Sequence, residues 1–254
     1  MITKNKLDEL VEEYEVRSFT DSDPSQFLRR FKDEKDVEIA SFLSALFAFG
    51  KREAFIEKLN LVFDKMSPSP YKFLLNFNGK GFEGFKYRFI KEEDLVDLLF
   101  CLKKLYSSEK TLKSLFEYGY KKSGDIKVMF QIVVDYFYSN SKNPDSHGFK
   151  HLLPDPKKGS ALKRFCMFLR WMVRSGEVDI GLWKFIPKSE LIIPLDTHVI
   201  QQAEKMGLLT SPKADFKTAL KLTEILKQFD SKDPAKYDFA LFGYGIDNKT
   251  EFTL

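Results

Sequence analysis

Apolar residues recur at every third and fourth position along most of the chain, which is the spacing of amphipathic helices. Alternation at every second residue, the signature of strands, is nearly absent. The pattern predicts an all-α protein of roughly ten helices without a repeat of fixed period. The predicted helices cover 7–14, a turn after Pro24, 36–49, 55–66, 92–106, 110–120, 126–138, 160–173 and the segments that follow Thr197, Asp215 and Asp233.

Composition narrows the class of protein. In a chain of 254 residues, 43% are hydrophobic and 15% aromatic, which is typical of a globular protein with a sizeable core. The net charge of +4 allows a nucleic-acid partner but requires any binding face to be a local patch. The polar N-terminus and the lack of an apolar run of ~18 residues predict no signal peptide and no membrane span. We therefore expect a cytoplasmic, nucleoid-associated protein.

The two cysteines, Cys101 and Cys166, both lie in apolar helical runs. This placement favours two buried thiols in a reducing compartment over a disulfide. Two cysteines are also too few for the four thiolates of an iron–sulfur cluster. We expect neither a cofactor nor a bound metal.

The stretch 151–199 carries the candidate chemistry, and its first part is a basic row on an apolar helix. At ~100° per residue, Arg170 and Arg174 fall within about 20° of Lys163, one on each side, along the helix predicted for 160–173 and its end. Such a row is usually a solvent-facing stripe. The alternative is that the row faces an anionic ligand.

The loop PDPKKGSA precedes this helix. Gly159 lies just before the helix N-terminus, where free backbone N–H groups favour an anion, and Lys157 and Lys158 add positive charge. A loop of this kind can hold a DNA phosphate without selecting a base sequence. An ordinary helix–helix turn with solvated lysines would have the same sequence.

The motif PLDTHV, 194–199, supplies a carboxylate. Asp196 follows an apolar extended segment and precedes a predicted helix, so its ordinary role is that of an N-cap. A capping carboxylate stays charged at neutral pH and has a fixed rotamer. Beside a reacting sugar, such a group can stabilise an oxocarbenium-like centre.

Several long strings resemble a bacterial protein family of unknown function, from about Pro24 to Gly245. They are DPSQFLRRF, DVEIASFLSALFAFGKREAFIEKL, HLLPDPKKGSALKRFCMFLRWMVR, PLDTHV and YDFALFGYG. That family in turn resembles the helix-hairpin-helix DNA glycosylases, the endonuclease III and oxidised-guanine glycosylase group. Gly159 and Lys163 in KKGSALKRFCMFLR resemble the lysine helix of the archaeal oxidised-guanine enzymes, LDTHV resembles their aspartate motif, and FAFGKRE resembles the end of an early helix.

The resemblance implies a fold and two catalytic residues. Lys163 matches the Schiff-base lysine and Asp196 the catalytic aspartate. The implied fold is a two-lobed helical bundle with a cleft between the lobes, formed as a single unit from 1–254. One lobe would be 36–196, with the hairpin near 152–162, and the other 1–35 plus 197–254.

The resemblance and the local charge also imply DNA-contacting and base-binding residues. The expected DNA contacts are Lys51, Arg52, Lys157, Lys158, Gly159, Ser160, Arg170 and Arg174. Residues that could line a base pocket are Phe49, Trp171, Trp183 and His198, although aromatic residues at helical spacing are usually core.

The implied function is a base-excision repair N-glycosylase, with AP-lyase activity if the lysine forms a Schiff base. Its expected partner is damaged or structured duplex DNA, bound by a monomer. The first alternative is a catalytically inactive nucleic-acid-binding module on the same scaffold. The second is a metal-dependent hydrolase that uses His147, His151, Asp155, Asp196 and His198, but Gly148 argues against one helix holding both His147 and His151.

Overall fold

A computed structural model describes residues 2–247 and places them in twelve α-helices and one two-stranded antiparallel sheet. The predicted all-α class is confirmed. The helices are α1 Lys4–Tyr14, α2 Glu34–Phe47, α3 Arg52–Met66, α4 Pro70–Asn76, α5 Glu92–Ser107, α6 Leu112–Ser123, α7 Ile126–Asn140, α8 His147–Leu152, α9 Lys163–Val173, α10 Thr197–Lys205, α11 Phe216–Lys227 and α12 Tyr237–Asp247. The strands are β1 Lys86–Tyr87 and β2 Ile90–Lys91, and 3₁₀ turns cover Arg17–Ser22, Pro24–Arg29, Pro156–Lys158, Lys188–Glu190 and Pro234–Lys236.

The described chain divides into two compact units, 22–158 and 1–21 with 159–254. The N-terminal segment belongs to the second unit because α1 packs against α12. These bounds differ from the lobes expected at 36–196 and at 1–35 plus 197–254. Since α9 joins α10, α11 and α12, Lys163 and Asp196 share one unit.

The unit 22–158 is built around α2, whose side chains are buried from Asp36 to Phe47. Phe42 stacks on Phe137 of α7 with ring centroids 5.5 Å apart. The buried carboxylate of Asp36 accepts a hydrogen bond from the Tyr71 N–H of α4 at 2.7 Å. Glu38 likewise accepts one from the Tyr106 hydroxyl of α5 at 3.1 Å. The buried carboxylates of α2 therefore accept hydrogen bonds from the neighbouring helices α4 and α5, which offsets the cost of burying them.

The helices α4 and α8 are short, and a backbone N–H in the first turn of each donates to a carboxylate that is distant in sequence. Asp94 of α5 accepts a hydrogen bond from the Phe149 N–H of α8 at 3.1 Å. A Cβ on Gly148 would lie 2.1 Å from that carboxylate, so only glycine fits there. The expectation that Gly148 would keep His147 and His151 off one helix is wrong, because the glycine admits Asp94 instead.

The other unit is built around α9, which is buried from Phe165 to Val173. Trp171 and Trp183 are fully buried, and Trp183 meets Phe168 edge-on with ring centroids 5.2 Å apart. The two tryptophans are therefore core residues rather than walls of a base pocket, since neither exposes surface on which a base could stack. Among the described residues, no helix combines the length and the apolar character that crossing a membrane requires.

We expect Phe168→Ala to lower the free energy of unfolding by ~3–5 kcal/mol, because Phe168 is 1% exposed and its removal leaves a cavity beside Trp183. Both tryptophans of the chain lie in this unit, so urea unfolding followed by tryptophan fluorescence reports on it directly. Leu220→Ala, at a residue of the same unit that is 40% exposed, should cost less than ~1 kcal/mol. Equal effects of the two substitutions would contradict the assigned core.

Candidate active site

The site centres on a lysine and a carboxylate that meet although they are distant in sequence. Lys163 is the first residue of α9, directly after Leu162, which has a left-handed φ of 53°. Asp196 is the N-cap of α10 and accepts the Val199 N–H at 2.9 Å. The Nζ atom of Lys163 lies 2.9 Å from Oδ2 of Asp196. The lysine side chain is 31% exposed, so the pair is in reach of a ligand.

A third helix, α12, contributes to the surroundings of the lysine. The Nζ atom of Lys163 lies 5.5 Å from the centre of the Phe242 ring. His198, the second residue of α10, has its ring centroid 6.1 Å from that of the same phenylalanine. Asp238 lies one helical turn before Phe242. Sequence reasoning did not name Asp238 or Phe242, although their spacing of four within YDFALFGYG puts them on one face of a helix.

The two carboxyl groups near Lys163 have opposite electrostatic environments. Burial alone would raise the pKa of Asp196, but the charge of Lys163 and the Val199 N–H outweigh burial and lower it. For Asp238, burial and the negative charge of Asp196 outweigh the attraction of Arg170 and raise its pKa to about 7. The site therefore combines a permanent carboxylate with a carboxyl group that titrates near neutrality.

Arg170 and Arg174 are only 5% and 3% exposed and do not form a surface row. Arg170 contacts Asp179 and Asp238, and Arg174 contacts Glu15, Asp179 and Asp233. We call these two arginines and their four carboxylate partners the arginine cluster. The expected phosphate contacts of Arg170 and Arg174 are corrected accordingly, because protein carboxylates already surround both guanidinium groups.

The glycine-lysine loop is divided between the two units. In the first, Lys157 and Lys158 are exposed in the 3₁₀ turn that Asp155 starts by accepting the Lys157 N–H at 2.9 Å. In the second, Gly159 has a φ of 79° and accepts the Phe216 N–H at 3.4 Å. Ser160 is exposed and forms a backbone bridge with Asp215. All four residues are accessible, and their contact with DNA stays a prediction.

The remaining predicted residues lie in the unit 22–158. Lys51 is exposed at the N-cap of α3, and Arg52 is half-buried. Phe49 is half-buried and packs against Tyr87, Phe89 and His151 of its own unit.

The cysteines and the candidate metal ligands are also located. Cys101 and Cys166 are buried free thiols, as predicted, and burial raises the pKa of Cys101 to about 12. Of the three histidines of the hydrolase alternative, His147 and His151 lie on α8 and His198 lies on α10. Within residues 2–247 no group of three histidine, cysteine, aspartate or glutamate side chains is arranged to hold a metal ion. The geometry gives the metal-dependent alternative no support.

We expect Arg174→Met to cost ~3–5 kcal/mol of unfolding free energy near pH 8, because it leaves buried carboxylates without their cation. Burial already raises the pKa of Asp179 above its unfolded value, and losing Arg174 raises it further. A raised carboxyl pKa contributes stability that is full at acid pH and is lost as pH rises through the folded pKa. The deficit of the variant should therefore be smaller at pH 5 than at pH 8.

The measurement is urea unfolding of wild type and variant across this pH range, followed by tryptophan fluorescence. Lys227→Met is the matched control, since Lys227 pairs with the exposed Glu224 on the surface of the same unit. It should cost less than ~1 kcal/mol and show no such pH trend. A pH-independent deficit in Arg174→Met would argue against the charge balance described here.

Comparison with known proteins places the chain in a family. A family model described as "Protein of unknown function (DUF2400)" matches residues 23–247. No curated protein and no solved structure matches the chain. The match covers most of the sequence, including Lys163, Asp196, the arginine cluster apart from Glu15, and α12. The chain therefore belongs to the DUF2400 family of proteins of unknown function.

Proposed function

We propose that the protein is a DNA N-glycosylase that attacks the sugar with Lys163 and carries an associated AP-lyase activity. The observation that supports this proposal is the 2.9 Å approach of the Lys163 amine to the Asp196 carboxylate at a partly exposed site. An amine beside a fixed carboxylate is the pair that a Schiff-base glycosylase needs. The sequence resemblance to helix-hairpin-helix glycosylases assigns the same two residues to the same roles.

The chemistry follows from the two groups. Lys163 must lose its proton before its nitrogen can attack C1′ of the damaged nucleotide. The bond from C1′ to the base then breaks, and the base leaves with the bonding electrons and takes up a proton. The negative charge of Asp196, held by its capping hydrogen bond, stabilises the positive charge that develops on the sugar. The C1′–O4′ bond then breaks, and O4′ keeps the bonding electrons and takes up the proton that the attached nitrogen loses. This leaves an imine between Lys163 and C1′, which is the Schiff base that precedes strand cleavage.

DNA binding is proposed to use exposed groups near this site and in the preceding loop. Gly159 and Ser160 are exposed in the lysine-bearing unit, and Lys157 and Lys158 are exposed in the other. Such groups contact phosphates and position the duplex without reading sequence. The partner would be a damaged or structured duplex, from which the enzyme turns the target nucleotide out of the stack.

Borohydride trapping on DNA with an abasic site tests the lysine. The Lys163 amine should condense with the C1′ aldehyde and release water, and borohydride should reduce the imine to a stable cross-link. We expect wild type to cross-link and Lys163→Ala to lose the cross-link. Asp196→Asn should slow trapping by ~10²-fold while α10 stays capped, because asparagine is also a good N-cap.

Lys236→Ala is the matched control, since Lys236 is also ion-paired, to Asp8 and Asp230, in the same unit. It should trap abasic DNA as wild type does. Trapping by Lys163→Ala at the wild-type rate would remove Lys163 from the mechanism. A panel of duplexes with single damaged bases, assayed for base release, would then identify the substrate.

One observation favours a second candidate, a nucleic-acid-binding module without catalysis. The Lys163 amine is held in an ion pair with Asp196, and the capping hydrogen bond gives Asp196 a structural role of its own. In that case wild type would bind DNA with a steep salt dependence but would neither trap abasic DNA nor release a base. Lys163→Ala would then weaken binding only.

A further inference from the structure

A group of aromatic rings lies at the surface of the unit 22–158, and the proposed function gives this group no role. Phe49 and Phe89 stack nearly parallel, with an interplanar angle of 18° and ring centroids 5.8 Å apart. His151 meets Phe49 at 4.4 Å and Phe89 at 4.5 Å, and His147 lies 4.6 Å from Phe89. We call these four residues the ring cluster. It includes two of the three histidines of the chain.

The ring cluster keeps part of its surface open. His147 is exposed, and Phe49, Phe89 and His151 are half-buried. Phenylalanines that only fill a core are buried further, as Phe42 and Phe137 are in the same unit. The ring cluster therefore leaves aromatic surface accessible to solvent, and a flat heteroaromatic ligand can stack on such a surface.

Phe89 reaches this position from a strained turn. Strands β1 and β2 pair Tyr87 with Ile90, so Arg88 and Phe89 form the two-residue turn between them. Arg88 has a φ of 54°, a conformation that glycine normally supplies at the first position of such a turn. An arginine costs stability there. Strain of this kind, held by the surrounding structure, is typical of a functional site.

The surroundings of the turn are fixed. The Tyr87 hydroxyl donates a hydrogen bond to the Phe49 carbonyl oxygen, which ties the hairpin to the end of α2. The Arg88 side chain lies so close to Gly50 that a Cβ on Gly50 would come within 2.8 Å of its Nη1 atom. On the other side, Asp94 anchors α8, which carries His147 and His151. The ring cluster is therefore preorganised rather than formed on binding.

Positive charge borders the rings. Exposed cationic side chains occur in the two segments that meet at the Arg88–Gly50 contact, namely Lys51, Lys86, Arg88 and Lys91. Stacked aromatic rings flanked by lysine and arginine match the two parts of a nucleotide, its base and its phosphate. An apolar protein segment would match the rings but not the charge.

We propose that the ring cluster and Arg88 form a binding site for an unpaired nucleobase in single-stranded or distorted DNA. The base stacks on the aromatic surface that Phe89 and His147 leave exposed, and Arg88 contacts an adjacent phosphate. The proposal rests on the proposed function only for the identity of DNA as the partner. The site lies wholly within the unit 22–158 and requires no chemistry from Lys163.

The test uses a single-stranded oligonucleotide that contains 2-aminopurine, whose fluorescence is quenched when the base stacks on an aromatic ring. Wild type should bind and quench it. Phe89→Ala should weaken binding about 10-fold and remove the quenching, without changing the salt dependence of the affinity. Tyr118→Ala is the matched control, because Tyr118 is 57% exposed in the same unit beside Lys122.

A second variant separates binding from folding. Arg88→Gly should leave the melting temperature unchanged or raise it by about 2 °C, since it relieves the turn. It should nevertheless weaken binding, and the slope of log affinity against log salt should fall by about 0.7, the value for one phosphate contact on a single strand. Glu109→Gly, at another exposed left-handed residue with φ 60°, should match its stability without affecting binding.

The outcomes separate this proposal from the glycosylase function. Lys163→Ala should quench 2-aminopurine as wild type does. If wild type traps abasic DNA but never quenches the base analogue, the ring-cluster proposal is overturned and the glycosylase stands. Quenching without trapping supports the nucleobase site and contradicts the proposed glycosylase activity. Loss of self-association rather than of DNA binding in Phe89→Ala would assign the ring cluster to a protein partner and would also overturn the proposal.

Discussion

The burial of two arginines in one small volume constrains the whole unit that carries Lys163. Arg170 lies in α9 and Arg174 is the C-cap of that helix. Their carboxylate partners come from the C-cap of α1, from the segment after α9, from the turn before α12 and from α12 itself. A buried guanidinium group is tolerable only when its charge and its N–H donors are all matched. The partners keep the pKa of Arg174 above its ordinary value although burial alone would lower it. The four segments must therefore stay together as long as α9 stays buried.

The arginine cluster also fixes the position of Lys163 in the unit. Lys163, Arg170 and Arg174 lie on one line of α9, and each faces carboxylates of its own unit: Asp196, Asp238 and Asp233 in that order. Only the Lys163 end of the line opens to solvent, with 31% of its side chain exposed against 6% and 4% for the two arginines. The arginine cluster thus forms the buried, rigid part of this row of cations, and Lys163 is the solvent-accessible end of the row.

The helical class, the buried α2 and α9 and the cationic line could all be predicted, because each follows from local spacing along the sequence. The approach of Lys163 to Asp196 was implied by family resemblance alone, since nothing in their separation indicates proximity. The direction of Arg170 and Arg174 was predicted wrongly because their partners, Glu15 and Asp233 among them, lie in segments that no local pattern connects to α9. The short helix α8 was not predicted for a related reason. The carboxylate that accepts the Phe149 N–H in its first turn belongs to Asp94, a residue of α5 that is distant in sequence.

The two proposed sites need different surroundings: one needs a carboxylate held rigidly, and the other needs exposed aromatic surface. Each unit of the chain provides one of these. Attack by an amine requires a carboxylate held in a single rotamer, and the cap of α10 provides it within a unit fixed by buried ion pairs. Stacking on a base requires open aromatic surface, and the turn at Arg88 provides it at the cost of local strain. A substitution in either set removes none of the contacts that define the other, because the contacts of each site lie within one unit. Affinity for an unstacked base and reactivity toward its sugar are therefore separable properties of this chain, which a single shared pocket would not allow.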